Sequence, residues 1–207
     1  MDKHFRFSAI LLAISFSMLS FTTSISASER KINMNQHWKF YHGCIANAEQ
    51  PSFNDSGWRV LDIPHDWSVE PLPVQREGIT IGPFSRMSIG GPDTGQTVGG
   101  EGWYRKELIL QPGDTDKILS LYFEGAYNQT EVWINGQKAC FNAYGYIPFR
   151  IDINKYCNAP GIPNTIAVKV INEGLNSRWY AGSGIYRHVW LIKTDKVHLD
   201  EWDTFVD

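Results

Sequence analysis

The chain has 207 residues, of which 43% are hydrophobic and 14% aromatic, with a formal charge of -3 at pH 7. That profile suits a globular protein and is too rich in core formers for a disordered one. A weak negative charge also argues against a basic phosphate-binding face, so no nucleic-acid partner is expected.

At the start of the chain, Lys3 and Arg6 precede the apolar run FSAILLAISFSMLSF, and the small residues Ser26, Ala27 and Ser28 stand before Glu29. This order predicts a signal peptide over residues 1–28. The competing reading is an N-terminal membrane anchor, but about 15 apolar-dominated residues fall short of the ~20 that a helical span needs. No later segment is long enough to cross a bilayer, so no membrane span is expected in the mature chain. The protein is expected to be secreted, periplasmic or displayed at the cell surface.

Residues 29–207 suit one domain. The first strand candidates are HWKFY and WRVLDI. Residues 71–102 then hold 8 of the 18 glycines and 4 of the 10 prolines without a sustained period of either kind, which predicts a long loop. GWYRKELIL follows as a strand, and KILSLYFEGAY alternates so that Leu119, Leu121 and Phe123 share one face. In EVWINGQKAC, Asn135-Gly136 separates two short apolar runs, and both residues tolerate the positive φ of a two-residue type I′ hairpin. IPFRIDI, NTIAVKVIN with Ile166, Val168 and Val170 on one face, and YRHVWLIKT with Val189 and Leu191 on one face complete the set. Residues 196–207 alternate again, as the start of a further segment. Many short strands with turn signals between them, and no helical stripe longer than a turn or two, predict an all-β fold. Two antiparallel sheets packed as a jelly-roll-like sandwich are expected.

Cys44, Cys140 and Cys157 are an odd set with no metal-binding spacing. Cys140 and Cys157 either close a disulfide or remain buried thiols. No metal and no cofactor is expected. Glu70, Glu77, Asp93, Glu101, Glu124 and Glu131 offer carboxylates for acid-base work, but carboxylates on strand rims are more often solvated or paired with a basic neighbour. His65-Asp66 lacks the G-x-S-x-G elbow of a serine hydrolase.

SFNDSGWRVLDIPHDWSVE (52–70), GGEGWYRKELIL (99–110), YFEGAYNQTEVWINGQ (122–137), YGYIPFRIDI (144–153) and SRWYAGSGIYRHVWL (177–191) occur in that order. Together they resemble the N-terminal sugar-binding domain of glycoside hydrolase family 2, most of all its secreted bacterial β-galactosidases. The resemblance covers residues 31 to 195. It implies a galactose-binding-like sandwich which, in complete members, precedes an immunoglobulin-like domain and a (β/α)8 barrel. The barrel carries the two glutamates that cleave a terminal β-glycoside with retention. A barrel takes ~250 residues, so both later domains are expected to be absent from this chain, which alone should be inactive.

The resemblance further implies that loops of the sandwich help to form the pocket for the terminal sugar. Asp66, Arg178 and Trp179 are the foremost candidates to contact a β-galactoside or related glycoside, with His65, Trp67 and Tyr180 behind them. A carboxylate and a guanidinium give directional hydrogen bonds to hydroxyls, and aromatic faces stack on a pyranose. Each candidate has a structural alternative. Trp67 and Trp179 can be core or inter-domain plugs, Asp66 can cap a turn, and Arg178 can brace the sandwich against Glu173 or Asp66. Gly182 and Gly184 suggest a corner that delivers the chain into the last strand. Two rival roles keep this fold: a free-standing carbohydrate-binding module, and a docking domain for the downstream domains of a longer enzyme.

Overall fold

The structure is a computed structural model in which residues 30–70, 84, 96–173 and 181–199 are described. The predicted signal peptide, Arg178, Trp179 and Tyr180, Glu77 and Asp93, and most of the predicted 71–102 loop lie outside the described residues.

Among the described residues, ten strands run in the order β1 (Lys31–Asn33), β2 (Trp38–His42), β3 (Arg59–Leu61), β4 (Gly100–Ile109), β5 (Ile118–Phe123), β6 (Thr130–Ile134), β7 (Gln137–Asn142), β8 (Phe149–Asp152), β9 (Pro163–Asn172) and β10 (Val189–Thr194). They form a four-stranded sheet, β1-β10-β5-β8, and a six-stranded sheet, β3-β2-β4-β9-β6-β7. Every strand pairing is antiparallel. Among the described residues there is no α-helix, and so no helix long and apolar enough to cross a membrane.

The alternation predicted for β5 and β9 sets the core. Leu119, Leu121 and Phe123 from one sheet meet Ile166, Val168 and Val170 from the other, joined by Trp38, Phe40 and Tyr104 and by Val189 and Leu191 of β10. Burial of apolar faces on both sheets is what makes a sandwich of them. The six-stranded sheet departs from simple alternation because its outer face is covered too. The segment between β2 and β3 lies across it, placing Ala48 against Trp103 and Ala167, with Ile45, Phe53, Trp58 and Trp133 around them. Arg105, on that outer face, is buried beneath the same segment, donating to Asp55 Oδ2 at 2.8 Å and to the carbonyls of Ala48 and Gln50. Burial of Asp55 is the largest influence on its acidity, yet its bonds to Lys39 and Arg105 outweigh it and hold the carboxyl below its usual range.

The Asn135-Gly136 turn forms as predicted, with φ of 52° and 77°. Asn135 Oδ1 accepts from the Thr165 amide at 2.9 Å, and its Nδ2 donates to Tyr156 O and Asn164 Oδ1. Strand β1 has no counterpart among the predicted elements: three residues are too short to show a period, and β1 exists because β10 offers it a partner. All three cysteines are free thiols. Cys140 and Cys157 are half-buried, and burial pushes the Cys157 thiol up to about 11. Cys44 is exposed rather than buried.

Candidate functional site

The segment that leaves β3 reaches Asp66, which begins a 3-10 turn over Trp67–Val69. Asp66 Oδ1 accepts from the amide of Ser68 at 2.9 Å, as an N-cap does. The same oxygen accepts from the amide of Ser183 at 2.8 Å, across 117 positions of sequence. One carboxylate thus fixes both the turn it starts and the corner that leads into β10.

That corner is held on both sides. The His65 amide donates to Ile185 O at 2.8 Å and the Trp67 amide to Ser183 O at 3.1 Å, while Tyr127 and Gly184 exchange two backbone bonds of 2.9 Å. Glycine is required at 184: its φ is +119°, and an added Cβ would lie 2.3 Å from the Tyr104 hydroxyl and 2.7 Å from the His65 carbonyl. Beneath the corner, Asn172 Nδ2 lies 2.6 Å from Ser183 Oγ, which lies 2.6 Å from Ser68 Oγ, itself 2.7 Å from Val98 O. Each hydroxyl has one proton, so the direction is set: Asn172 donates to Ser183, Ser183 to Ser68, and Ser68 to the carbonyl. Ser68, Asn172 and Ser183 are buried, where such a chain must be completed to be tolerated.

His65 belongs to a second chain. Its Nδ1 lies 2.7 Å from the Tyr104 hydroxyl and its Nε2 2.9 Å from Glu70 Oε1. A neutral ring with its proton on Nε2 satisfies both, donating to the carboxylate and accepting from the phenol. Burial is the foremost influence on His65 and lowers its pKa, which favours this neutral form. Glu70 Oε1 also accepts from Arg59 at 2.5 Å. The bonds from Arg59 and His65 keep Glu70 below the ordinary carboxylate range despite burial, the largest single influence on it, which acts upward. Tyr104 is wholly buried and its pKa is raised, chiefly by burial.

Of the six predicted sugar-contacting residues, the structure brings His65, Asp66 and Trp67 together on this turn, and Arg178, Trp179 and Tyr180 lie outside the described residues. Trp67 is 2% exposed. Its ring covers Gly102 and stacks on Phe40, and its Nε1 donates to Gly99 O at 3.2 Å. Sequence reasoning missed Ser68, Tyr104, Asn172 and Ser183; the available signal was the place of Ser68, Tyr104 and Ser183 within the motif segments, which Asn172 lacks. Like Glu70, the other described candidate carboxylates have specific partners: Glu101 accepts from Trp103 Nε1, Glu124 from Trp190 Nε1, and Glu131 from Lys138 and Lys169. No three His, Cys, Asp or Glu side chains group as metal ligands among the described residues.

Comparison with known proteins places this arrangement. The profile described as "Glycosyl hydrolases family 2, sugar binding domain" matches residues 38–195. A β-galactosidase of Bacteroides ovatus is 41% identical over 186 residues, covering 89% of this chain and 20% of that protein. A β-glucuronidase of Formosa agariphila is 30% identical, covering 86% of this chain and 18% of that protein. Among solved structures, a glycosyl hydrolase family 2 member from Bacteroides cellulosilyticus superposes with a TM-score of 0.79 at 40% identity, over 86% of this chain and 22% of the other. The chain spans about a fifth of the length of these relatives. The family profile covers most of the sandwich and the relatives agree with it, and the chain belongs to glycoside hydrolase family 2 as its sugar-binding domain.

Proposed function

We propose that this chain is the N-terminal, jelly-roll sugar-binding part of an exported, retaining β-glycosidase that removes terminal residues from glycans, with β-galactosides as first-choice substrates. The observation that carries the reading is the Asp66 bond to Ser183, which ties the IPHDW turn to the SRWYAGSG corner. Asp66 is a positioning residue: its Oδ1 is committed to backbone amides. Arg178, Trp179 and Tyr180, which precede that corner in sequence, are assigned to the sugar, Arg178 to donate to hydroxyls and the aromatics to stack on a pyranose face. The choice of β-galactoside rests on the 41% identical relative. Export rests on the basic and apolar order of residues 1–28.

Hydrolysis with retention needs one carboxylic acid to protonate the leaving oxygen and a carboxylate ~5 to 5.5 Å away to attack the anomeric carbon. The partnered carboxylates of this sandwich serve its structure, and we assign that pair to the remaining four-fifths of an enzyme of the relatives' length. In that longer enzyme, Arg178→Ala is expected to lower kcat/KM for a β-galactoside on the order of tenfold or more, the effect of losing a charged hydrogen bond. A value within about threefold of wild type would remove Arg178 from the site.

One observation favours an additional docking role. Tyr144, Tyr146 and Ile147 are 56%, 45% and 48% exposed on the loop between β7 and β8. An apolar cluster of this kind suits a face that packs against another domain. A chain that stays monomeric in gel filtration at high concentration would weigh against that role.

A further inference from the structure

On the edge of the six-stranded sheet, beside the Glu70 end of the His65 chain, is a cleft of about 290 Å³ lined by Tyr41, His42, Gly57, Trp58, Arg59 and Glu70. Its volume lies at the small end of the range for ligand pockets and suits one ring rather than an extended chain. One wall is aromatic: Tyr41 and Trp58 stack with centroids 5.6 Å apart and planes at 25°. Tyr41 is 38% exposed. The other wall is polar and only partly used. Arg59 spends one terminal nitrogen on Glu70 Oε1, and its guanidinium is braced over the Phe40 ring at 5.2 Å. Its Nε and second terminal nitrogen have no hydrogen-bond partner among the described residues, and neither has Glu70 Oε2.

An exposed ion pair adds little to stability, yet this one is held rigid. Phe40 braces the guanidinium from one side, and His65 fixes the carboxylate through a part-buried hydrogen bond. The result is a preorganised donor and acceptor side by side, next to an aromatic wall. Adjacent hydroxyls on a pyranose match that pattern, one accepting from Arg59 and the other donating to Glu70, while the ring's C-H face lies on the aromatics. Because Glu70 already neutralises Arg59, an anionic sugar would meet a carboxylate at close range.

We propose that this cleft binds a neutral hexopyranose through a vicinal diol chelated by Arg59 and Glu70, with Tyr41 and Trp58 as its stacking wall. The proposal does not depend on Asp66 or on the corner before β10. It is tested by titrating the 207-residue chain with methyl β-galactopyranoside while following backbone and indole N-H resonances. Saturable shifts centred on Trp58 and Arg59, with a millimolar Kd, are expected. Arg59→Met, which keeps the stem over Phe40, should weaken binding at least about tenfold, and Tyr41→Leu should weaken it severalfold. Methyl β-glucuronide should bind at least severalfold more weakly than the galactoside. The proposal is overturned by no saturation by about 50 mM ligand, an Arg59→Met affinity within about twofold of wild type, or equal binding of the glucuronide. Shifts centred on Gly182 and Gly184 instead would also overturn it, and would support the corner reading of the sugar site. An unchanged unfolding midpoint for each variant separates loss of binding from loss of fold.

Discussion

Two turns in this molecule solve the same problem over different distances. At the β6-β7 hairpin, Asn135 uses its own positive φ and a side chain that reaches Thr165, Tyr156 and Asn164. At the corner before β10, the positive φ belongs to Gly184 and the fixing side chain to Asp66, 117 residues before Ser183. The hairpin's two positive-φ residues are adjacent and join strands that pair Ile134 with Gln137, and it serves the fold. The corner is closed by residues from four separate segments, so its shape is determined by the whole sandwich and can be aimed at a ligand. The difference teaches that a local turn sets register, whereas a long-range turn sets the geometry of a site.

The largest test of that contrast is a pair of glycine substitutions. Gly184→Ala drives a methyl group into Tyr104 and the His65 carbonyl at a positive φ, and is expected to cost on the order of 3 kcal/mol or more in urea unfolding. Gly161→Ala also has a positive φ but meets nothing within 4 Å, and should cost only about 1 kcal/mol. Equal losses would mean that backbone conformation alone, without the surrounding packing, makes the corner.

Next in size is the hairpin itself. Asn135→Ala removes three side-chain bonds, and should lower stability by about 2 kcal/mol. In the longer enzyme it should leave kcat/KM unchanged at a temperature where the variant is folded. A selective loss of kcat/KM would tie the hairpin to the site and erase the contrast.

The smallest effect is on pH. Because burial depresses the pKa of His65 below its ordinary 6.5, the unfolded chain binds more protons than the folded one as pH falls below that value. The contribution of His65 is therefore fully present above 6.5 and is lost as pH falls toward its folded pKa. Asp55, Glu70 and Glu131 have lowered pKa values as well, so their contributions are lost only at more acidic pH, from below their ordinary 3.8, 4.5 and 4.5. Unfolding midpoints should fall between pH 7.5 and 5.5, and His65→Asn should flatten that dependence. An unaltered slope in the variant would remove His65 from the chain that links Tyr104 to Glu70.

The same contrast explains what the sequence disclosed. Period-two alternation exposed β5 and β9 because their inward faces are uniformly apolar, and Asn135-Gly136 exposed the hairpin because both positive-φ positions are adjacent. Arg105 and Trp103 lie on the face of β4 away from the core between the sheets, and the 44–58 segment buries them, a tertiary event that no local pattern encodes. Asp66 was recognisable as a cap from its turn chemistry and as a sugar contact through the family resemblance. Its bond to Ser183 was not, since nothing local links the two positions. Ser68 and Ser183 look like ordinary polar loop residues, and Asn172 like a polar strand end, until the fold buries them together.

The central claim, that Asp66 acts on the sugar site by holding the corner, is tested most directly by comparing Asp66→Asn with Asp66→Ala in the longer enzyme. Asparagine keeps an oxygen that accepts from the Ser68 and Ser183 amides, whereas alanine keeps none and also loses about 1 kcal/mol of capping. The account predicts that Asp66→Ala lowers kcat/KM on the order of tenfold or more and that Asp66→Asn restores most of it. Asp66→Asn falling as far as Asp66→Ala, or Asp66→Ala staying within about threefold of wild type, would contradict it.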